Sequence, residues 1–153
     1  MTQTGDTTPA TWADHAFRVL ADRGHRAGGA RAAVIEVLAG RGGCLTAKEL
    51  EGELARGERP VGIASIYRSL AALESAGLVH AVDLGGAERH FELVHPDGSH
   101  HHHVVCDRCG RTLAFTDPDL ERAIAAVGER LGADVDAHDV VLRGLCRSCS
   151  GRG

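Results

Sequence analysis

Residues 63–93, IASIYRSLAALESAGLVHAVDLGGAERHFEL, carry the clearest structural pattern in the chain. Four apolar residues in the first half recur at helical spacing: Ile63, Ile66, Leu70 and Leu73. That spacing predicts an amphipathic helix that ends at Gly77 and turns a small, polar face to solvent. The second half predicts two strands, 78–83 and 88–93, joined by a tight turn at Gly85-Gly86. The stretch therefore predicts an exposed helix followed by a β-hairpin.

Further helices are predicted before this stretch. Apolar residues at helical spacing indicate helices over 11–21 and from about 30 to 39. Thr46 and Glu49 match a capping box, in which the hydroxyl and the carboxylate each accept from a backbone amide, so a short helix begins there. Helices followed by an exposed helix and a hairpin are typical of a winged helix-turn-helix, which we assign to residues 11–94.

The remainder of the chain, 95–153, predicts a second and smaller α/β domain. His95 to Ser99 have the composition of a linker, and strands are predicted over 101–106 and 111–116. Asp117 is an expected N-cap, and Pro118 after it begins a helix. The predicted class is α+β: an N-terminal winged helix-turn-helix domain followed by a small α/β domain.

Composition and charge limit the classes of function. The chain has 153 residues, of which 43% are hydrophobic, and a formal net charge of -4. Residues 1–90 hold ten Lys/Arg against eleven Asp/Glu, and residues 91–153 hold seven against ten, so nucleic-acid contact must be local. No apolar run approaches the ~20 residues that span a bilayer. Residues 1–10 are polar and lack the pattern of an export signal, so we expect a disordered tail there and a cytoplasmic protein.

Four of the five cysteines form two C-x2-C pairs, Cys106/Cys109 and Cys146/Cys149. In a chain without an export signal, this spacing favours metal thiolates over disulfides. Each pair can direct two sulfurs at one ion, and two pairs complete the tetrahedral shell that zinc accepts. We therefore predict structural zinc, with two buried or redox-active thiol pairs as the alternative. Cys44 stands alone, which is more typical of a small buried hydrophobe.

Four consecutive histidines, 100–103, precede the first cysteine pair. On a strand, His101 and His103 face one side while His100 and His102 face the other, so the run could serve two metal sites. A solvated histidine tract is the alternative, but this run continues directly into Val-Val-Cys.

Together these features resemble the ferric uptake regulator family of metal-dependent repressors. The resemblance rests on IYRSLAALESAGLV (66–79), the histidine run before CDRCG (106–110), His138 and the C-terminal cysteine pair. It covers about residues 14–149. It implies a homodimer with an N-terminal winged helix and a C-terminal dimerisation domain, which binds palindromic operators in double-stranded DNA when loaded with metal.

The resemblance also implies roles for individual residues. The structural zinc ligands would be Cys106, Cys109, Cys146 and Cys149. A second metal site in the dimerisation domain would comprise His100, His102, Glu121 and His138. The sensory site at the hinge between the domains would include Glu92, His101 and His103. The DNA contacts would be Ser65, Tyr67 and Arg68 in the major groove, and Arg26 near the minor groove.

Departures from the family's pattern bear on the metal that is sensed. Many iron and peroxide sensors of the family have a histidine where this chain has Cys44, and often an acidic residue where it has Ala114. The zinc-uptake members have another ligand near the first wing strand, where His80 lies. We therefore add Cys44 and His80 as alternative sensory ligands contributed by the DNA-binding domain. Mixed thiolate, imidazole and carboxylate donors favour Zn²⁺ over Fe²⁺ or Mn²⁺.

Three other functions stay open from the sequence. The first is an iron-, manganese- or peroxide-responsive member of the same family. The second is a zinc hydrolase, which would need an open three-ligand site, a water and a general base such as Glu121. The third is a constitutive zinc-stabilised DNA-binding or interaction module without sensing. No substrate-pocket motif accompanies the hydrolase, so we predict that the chain is not an enzyme.

Overall fold

The computed structural model describes residues 9–151. The chain divides into two compact units, unit 1 ending at Ser99 and unit 2 beginning at His100, at the end of the linker-like segment 95–99. Positions 1–8 of the expected disordered tail lie outside the described residues, whereas Pro9 already belongs to the first helix. Within residues 9–151, no helix is both long and apolar enough to cross a membrane.

Unit 1 consists of four helices and a small sheet. The helices are α1 (Pro9–Asp22), α2 (Gly29–Arg41), α3 (Ala47–Leu54) and α4 (Ile63–Ser75). The strands are β1 (Leu45–Thr46), β2 (Val79–Val82) and β3 (His90–Leu93), and they form an antiparallel sheet in the order β1-β3-β2. The elements follow the order predicted for a winged helix-turn-helix, with β2 and β3 as the wing.

A single apolar core holds unit 1 together. It includes Trp12 from α1, Ile35 from α2, Leu50 from α3 and Leu70 from α4, each no more than 1% exposed. Phe91 brings β3 into the same core. All four helices and the wing therefore share one buried interior, which fixes α4 in place.

The local signals before and within α4 are confirmed with one exception. Thr46 and Glu49 form both hydrogen bonds of the predicted capping box at the start of α3. Ile66 and Leu73 are buried as predicted, but Ile63 is 37% exposed. Ile63 is the first residue of α4, and helical side chains lean toward the N-terminus, so it projects beyond the end of the helix.

Unit 2 is a three-stranded sheet with one long helix. Its elements are β4 (His102–Cys106), β5 (Thr112–Phe115), α5 (Pro118–Leu131), β6 (Val141–Gly144) and α6 (Arg147–Ser150). The strand order is β5-β4-β6, with β5 antiparallel and β6 parallel to β4. Asp117 caps α5 through its side chain, as its position before Pro118 predicts. The α+β class is confirmed.

Apolar side chains of unit 2 are largely exposed. Of its described residues, only the two cysteines Cys106 and Cys146 count among the buried hydrophobic ones. Large apolar residues are instead open to solvent on α5, on the sheet and in neighbouring loops: Leu113, Val127, Leu131, Val135, Leu142 and Leu145. Unit 2 therefore lacks the apolar interior that stabilises unit 1.

Candidate functional site

The four paired cysteines converge in unit 2. Cys106 is the last residue of β4 and Cys109 lies in the turn that follows. Cys146 is the N-cap of α6, and Cys149 lies within that helix. The four sulfurs all lie within 4.8 Å of one another, and Cys109 Sγ is 3.8 Å from Cys146 Sγ. A tetrahedral zinc with Zn–S bonds of ~2.3 Å spaces its sulfurs about 3.8 Å apart. The cluster therefore fits one zinc ion.

The electrostatics of this cluster favour a bound cation. The backbone N–H of Cys146 donates to Cys106 Sγ at 3.3 Å, and this bond, with a second from the Cys109 amide, lowers the pKa of Cys106 to about 6. The hydrogen bond with Cys146, followed by desolvation, raises the pKa of Cys149 to about 12. Four thiols so close together cannot all ionise without a metal, because each thiolate raises the cost of the next.

A second cluster in unit 2 contains three histidines and a glutamate. His102 is the first residue of β4 and His100 lies two residues before it, Glu121 is in the first turn of α5, and His138 is in the loop before β6. Glu121 Oε1 lies 2.6 Å from His102 Nε2, and Glu121 Oε2 lies 2.9 Å from His138 Nε2. His100 Nε2 lies 3.0 Å from His138 Nε2. A tetrahedral ion with bonds of ~2.0–2.1 Å spaces its ligand atoms about 3.3 Å apart, so these four donors also suit zinc.

Glu121 supplies the negative charge of this second cluster. Desolvation disfavours its ionised form, but the hydrogen bond with His102 and the nearby His100 and His138 outweigh it, so the pKa of Glu121 is lowered. Its place in the first turn of α5 also sets the carboxylate near the positive end of the helix dipole. Three imidazoles and a carboxylate are ligand types that zinc accepts, and the carboxylate favours a divalent cation.

A third set of donors lies on the sheet of unit 1. Glu92 on β3 is paired in register with His80 on β2, and the His80 Nε2 to Glu92 Oε2 distance is 3.7 Å. Cys44 directly precedes β1, and its sulfur lies within 4.8 Å of a Glu92 carboxylate oxygen. Glu92 is only 3% exposed. Glu92 on the central strand therefore lies between Cys44 and His80, while the predicted ligands His101 and His103 belong to unit 2.

The predicted DNA-contacting residues lie on the surface of unit 1. Tyr67 is 55% exposed on α4, and Arg68 beside it is also exposed. Ser65, one turn before Arg68, is half-buried. Arg26 lies in the exposed segment before α2, where the guanidinium of Arg31 donates to its backbone carbonyl at 3.0 Å.

The sequence analysis did not identify two arginines that stabilise segments carrying predicted site residues. Arg108 lies between the first pair of cysteines, and its guanidinium donates to the carbonyl of Cys149 at 2.9 Å, which links the two cysteine turns. Arg31 stabilises the Arg26 segment in a similar way. The position of Arg108 inside the C-x2-C motif was the available signal, whereas nothing in the sequence indicated the bond of Arg31.

Comparisons with known proteins agree on one family. The model of the ferric uptake regulator family matches residues 22–143. The ferric uptake regulation protein of Bordetella parapertussis is 36% identical over 89 residues, which are 58% of this chain and 63% of that protein. The corresponding protein of Legionella pneumophila is 35% identical over 105 residues, or 69% of this chain and 76% of that one.

Solved structures show the same relationship. The crystal structure of the ferric uptake regulator of Vibrio cholerae superimposes with a TM-score of 0.75 and 28% sequence identity, covering 85% of this chain and 98% of that one. The family resemblance is thereby confirmed. The chain belongs to the ferric uptake regulator family, whose members are metal-responsive transcription regulators and not enzymes.

Proposed function

We propose that this protein is a metal-responsive repressor that binds a palindromic DNA operator as a homodimer and responds to zinc. The observation that carries the proposal is the arrangement of unit 1. Two donors for a metal, Glu92 on β3 and Cys44 just before β1, lie within 4.8 Å of each other on the small sheet that forms the wing, and His80 lies on the strand at the other side of Glu92. Metal binding there acts on the DNA-binding unit itself. We also expect the protein to work in the cytoplasm, where its operator DNA would be located.

The choice of zinc rests on donor chemistry. A thiolate, an imidazole and a carboxylate suit a four-coordinate zinc ion, whereas Fe²⁺ and Mn²⁺ favour higher coordination and more oxygen ligands. The family resemblance implies His101 and His103 as the other two ligands of this sensory ion, which makes four donors with Glu92 and Cys44. Glu92 contributes a carboxylate that is almost fully buried, so its charge is strongly stabilised by a cation.

We assign different roles to the two clusters of unit 2. The four-cysteine cluster is the structural zinc site, because its donors are all protein thiols and leave no open position. The cluster of His100, His102, Glu121 and His138 joins the start of β4, α5 and the loop before β6. A metal there stabilises unit 2, which has little apolar interior of its own.

The proposed DNA contacts follow from exposure and charge. Tyr67 and Arg68 on α4 reach base edges in the major groove, while Arg26 contacts the minor groove or the backbone. Two copies of α4 in a dimer would contact half-sites separated by one turn of duplex, ~34 Å. A tenfold change in operator affinity on metal binding requires about 1.4 kcal/mol of coupling between the two sites, which a tightly bound ion can supply.

The partner in the dimer is a second copy of this chain, and unit 2 forms the interface. Leu120, Ile124, Val127 and Leu131 recur along α5 at alternating spacings of four and three residues. Val127 is 42% exposed and Leu131 75% exposed. Such a stripe is typical of helices that pack against each other.

The test combines metal content with DNA binding. The full chain is purified, its metal is measured by elemental analysis before and after mild chelation, and duplexes are selected from a random pool by the zinc-loaded protein. We expect about one chelation-resistant zinc per chain at the four-cysteine site. We also expect labile metal whose removal abolishes the shift of the selected duplex at fixed salt. Zinc, Fe²⁺, Mn²⁺ and Ni²⁺ are then re-added separately to rank them.

Other outcomes would support other functions. Binding that persists after the labile metal is removed would indicate a constitutive DNA-binding module, and restoration by Fe²⁺ or Mn²⁺ alone would indicate a different sensed metal. Arg68→Ala is expected to abolish binding to the selected duplex while the zinc content stays unchanged, because Arg68 lies on α4 and the four cysteines lie in unit 2. Retained affinity in this variant would contradict the assignment of α4 as the recognition helix.

A further inference from the structure

We propose that Ser65 is a positioning residue that holds the guanidinium of Arg68 ready to contact DNA. The proposal rests on the proposed function, because it assumes that α4 is the recognition helix. It goes beyond that function by giving Ser65 a role that acts through Arg68 rather than through a DNA contact of its own.

The geometry of α4 supports this role. Ser65 and Arg68 lie three residues apart on the helix, so their side chains are neighbours on its surface. Arg68 Nη2 donates to Ser65 Oγ at 2.9 Å. The next serine along this side of the helix, Ser69, is 3% exposed and donates its hydroxyl to the carbonyl of Ser65 at 2.8 Å. Ser69 is thus satisfied by the backbone, and the hydroxyl of Ser65 is the one that engages Arg68.

Three other arginines of unit 1 pair with carboxylates, whereas Arg68, like Arg23 and Arg31, has a neutral partner. Arg41 and Arg56 pair with Glu53, and Arg89 pairs with Glu74. Within residues 9–151, Arg68 has no carboxylate within ion-pairing distance, and its recorded partner is the neutral Ser65. A carboxylate would cancel the positive charge that attracts DNA, whereas a hydroxyl restrains the side chain and leaves the charge intact.

After forming this bond, Arg68 still has enough N–H donors to contact DNA. A guanidinium has five N–H groups, and the bond to Ser65 occupies one of them. The rest can form a two-pronged contact with a base edge or a phosphate. An arginine side chain that moves freely loses conformational entropy when it binds DNA. The bond to Ser65 already restricts Arg68 in the free protein, so less entropy is lost on binding. Loss of the Ser65 hydroxyl is therefore expected to weaken operator binding by about three- to tenfold.

The experiment uses a double-mutant cycle on the full-length, zinc-loaded protein. The probes are the duplex selected from a random pool by the wild-type protein and a scrambled duplex of the same composition, both at one salt concentration. The variants are Ser65→Ala, Ser65→Thr, Arg68→Ala and the double variant with Ser65→Ala and Arg68→Ala. Side-chain ¹⁵N relaxation of Arg68 in the DNA-free protein is measured for wild type and Ser65→Ala.

We expect Ser65→Ala to weaken binding to the selected duplex and to leave binding to the scrambled duplex unchanged. Ser65→Thr keeps the acceptor oxygen and should bind like the wild type. In the Arg68→Ala background, Ser65→Ala should have no further effect, because a residue that acts through Arg68 has nothing left to position. Without DNA, Ser65→Ala should increase the mobility of the Arg68 guanidinium.

Several results would overturn the proposal. Additive losses in the double variant would mean that Ser65 contacts DNA itself, and unchanged Arg68 mobility in Ser65→Ala would mean that the bond does not restrain the guanidinium. An equal loss on both duplexes would indicate a general effect on the fold. If no duplex is enriched, or if Arg68→Ala binds like the wild type, the proposed function fails. A normal response to Arg68→Ala with no response to Ser65→Ala defeats only the positioning role.

Discussion

At the scale of single residues, the cysteines of this chain have different surroundings and different expected chemistry. Cys106 is 2% exposed and has three other sulfurs within 4.8 Å. Cys44 belongs to unit 1 and lies near the carboxylate of Glu92, on the sheet that includes the wing. Both residues are candidate metal ligands, but substitution of each should affect a different ion.

We predict that Cys106→Ser removes the chelation-resistant zinc and destabilises unit 2, because a serine hydroxyl does not ionise to replace a thiolate ligand. Cys44→Ser is the matched control. It should keep the resistant zinc and weaken only the labile metal that controls DNA binding. Elemental analysis after mild chelation measures the first metal, and a metal titration of the DNA shift measures the second. Loss of resistant zinc in Cys44→Ser would contradict this division.

Residue identities also show how far the sequence could predict the metal sites. The C-x2-C spacing alone indicated the four-cysteine cluster, because ligands only two residues apart are placed by a local turn. Glu121 and His138 were assigned only through the family resemblance. They are 17 residues apart in sequence, and each alone is of a type that is usually exposed and solvated. Their meeting with His100 and His102 depends on the packing of α5 and a loop around β4.

At the scale of elements, segments with a local sequence signal were predicted, and β1 and α6, which have none, were not. The helices α4 and α5 have apolar periodicity and recognisable ends at Gly77 and Asp117-Pro118. The strand β1 has two residues and exists because Leu45 pairs with Phe91, far away in the sequence. No pattern within two residues can signal such a strand. The four-residue α6 was missed for the same reason.

The helix α5 contains a glycine whose substitution tests the packing of unit 2. A Cβ at Gly128 would lie 3.1 Å from Val135 Cγ2 and 3.3 Å from the carbonyl oxygen of Ala133. Alanine normally stabilises a helix interior by ~1 kcal/mol relative to glycine, but overpacking costs about 1–3 kcal/mol. We therefore predict that Gly128→Ala lowers the free energy of unfolding by about 1 kcal/mol.

A matched control is available in α3. Gly52 lies within that helix, and a Cβ there would meet no atom within 4 Å. Gly52→Ala should raise the free energy of unfolding by about 0.5–1 kcal/mol, because only helix propensity changes. Urea denaturation of the zinc-loaded protein measures both variants. A stabilised Gly128→Ala would show that the loop at Val135 moves aside without cost.

At the scale of the whole molecule, the two units differ in what stabilises them. Unit 1 has a shared apolar interior that includes Trp12, Leu50 and Phe91. Unit 2 instead has two clusters of residues that could hold a metal ion, and exposed leucines and valines. Metal ligation and association therefore have to contribute the stability that burial provides in unit 1. This contrast leads to the dimer proposed above, and it identifies where a substitution should break it.

We predict that Leu131→Lys converts the dimer to a monomer without unfolding it. Leu131 is 75% exposed on α5, so the substitution costs a single copy little, and a cation near a helix C-terminus is favourable. In a dimer that buries the stripe ending at Leu131, the same charge would be desolvated without a partner. Ala125→Lys adds an equal charge at an exposed position on another side of α5 and should leave the dimer intact. Sedimentation velocity of the zinc-loaded proteins distinguishes the two, and a dimeric Leu131→Lys would place the interface elsewhere on the chain.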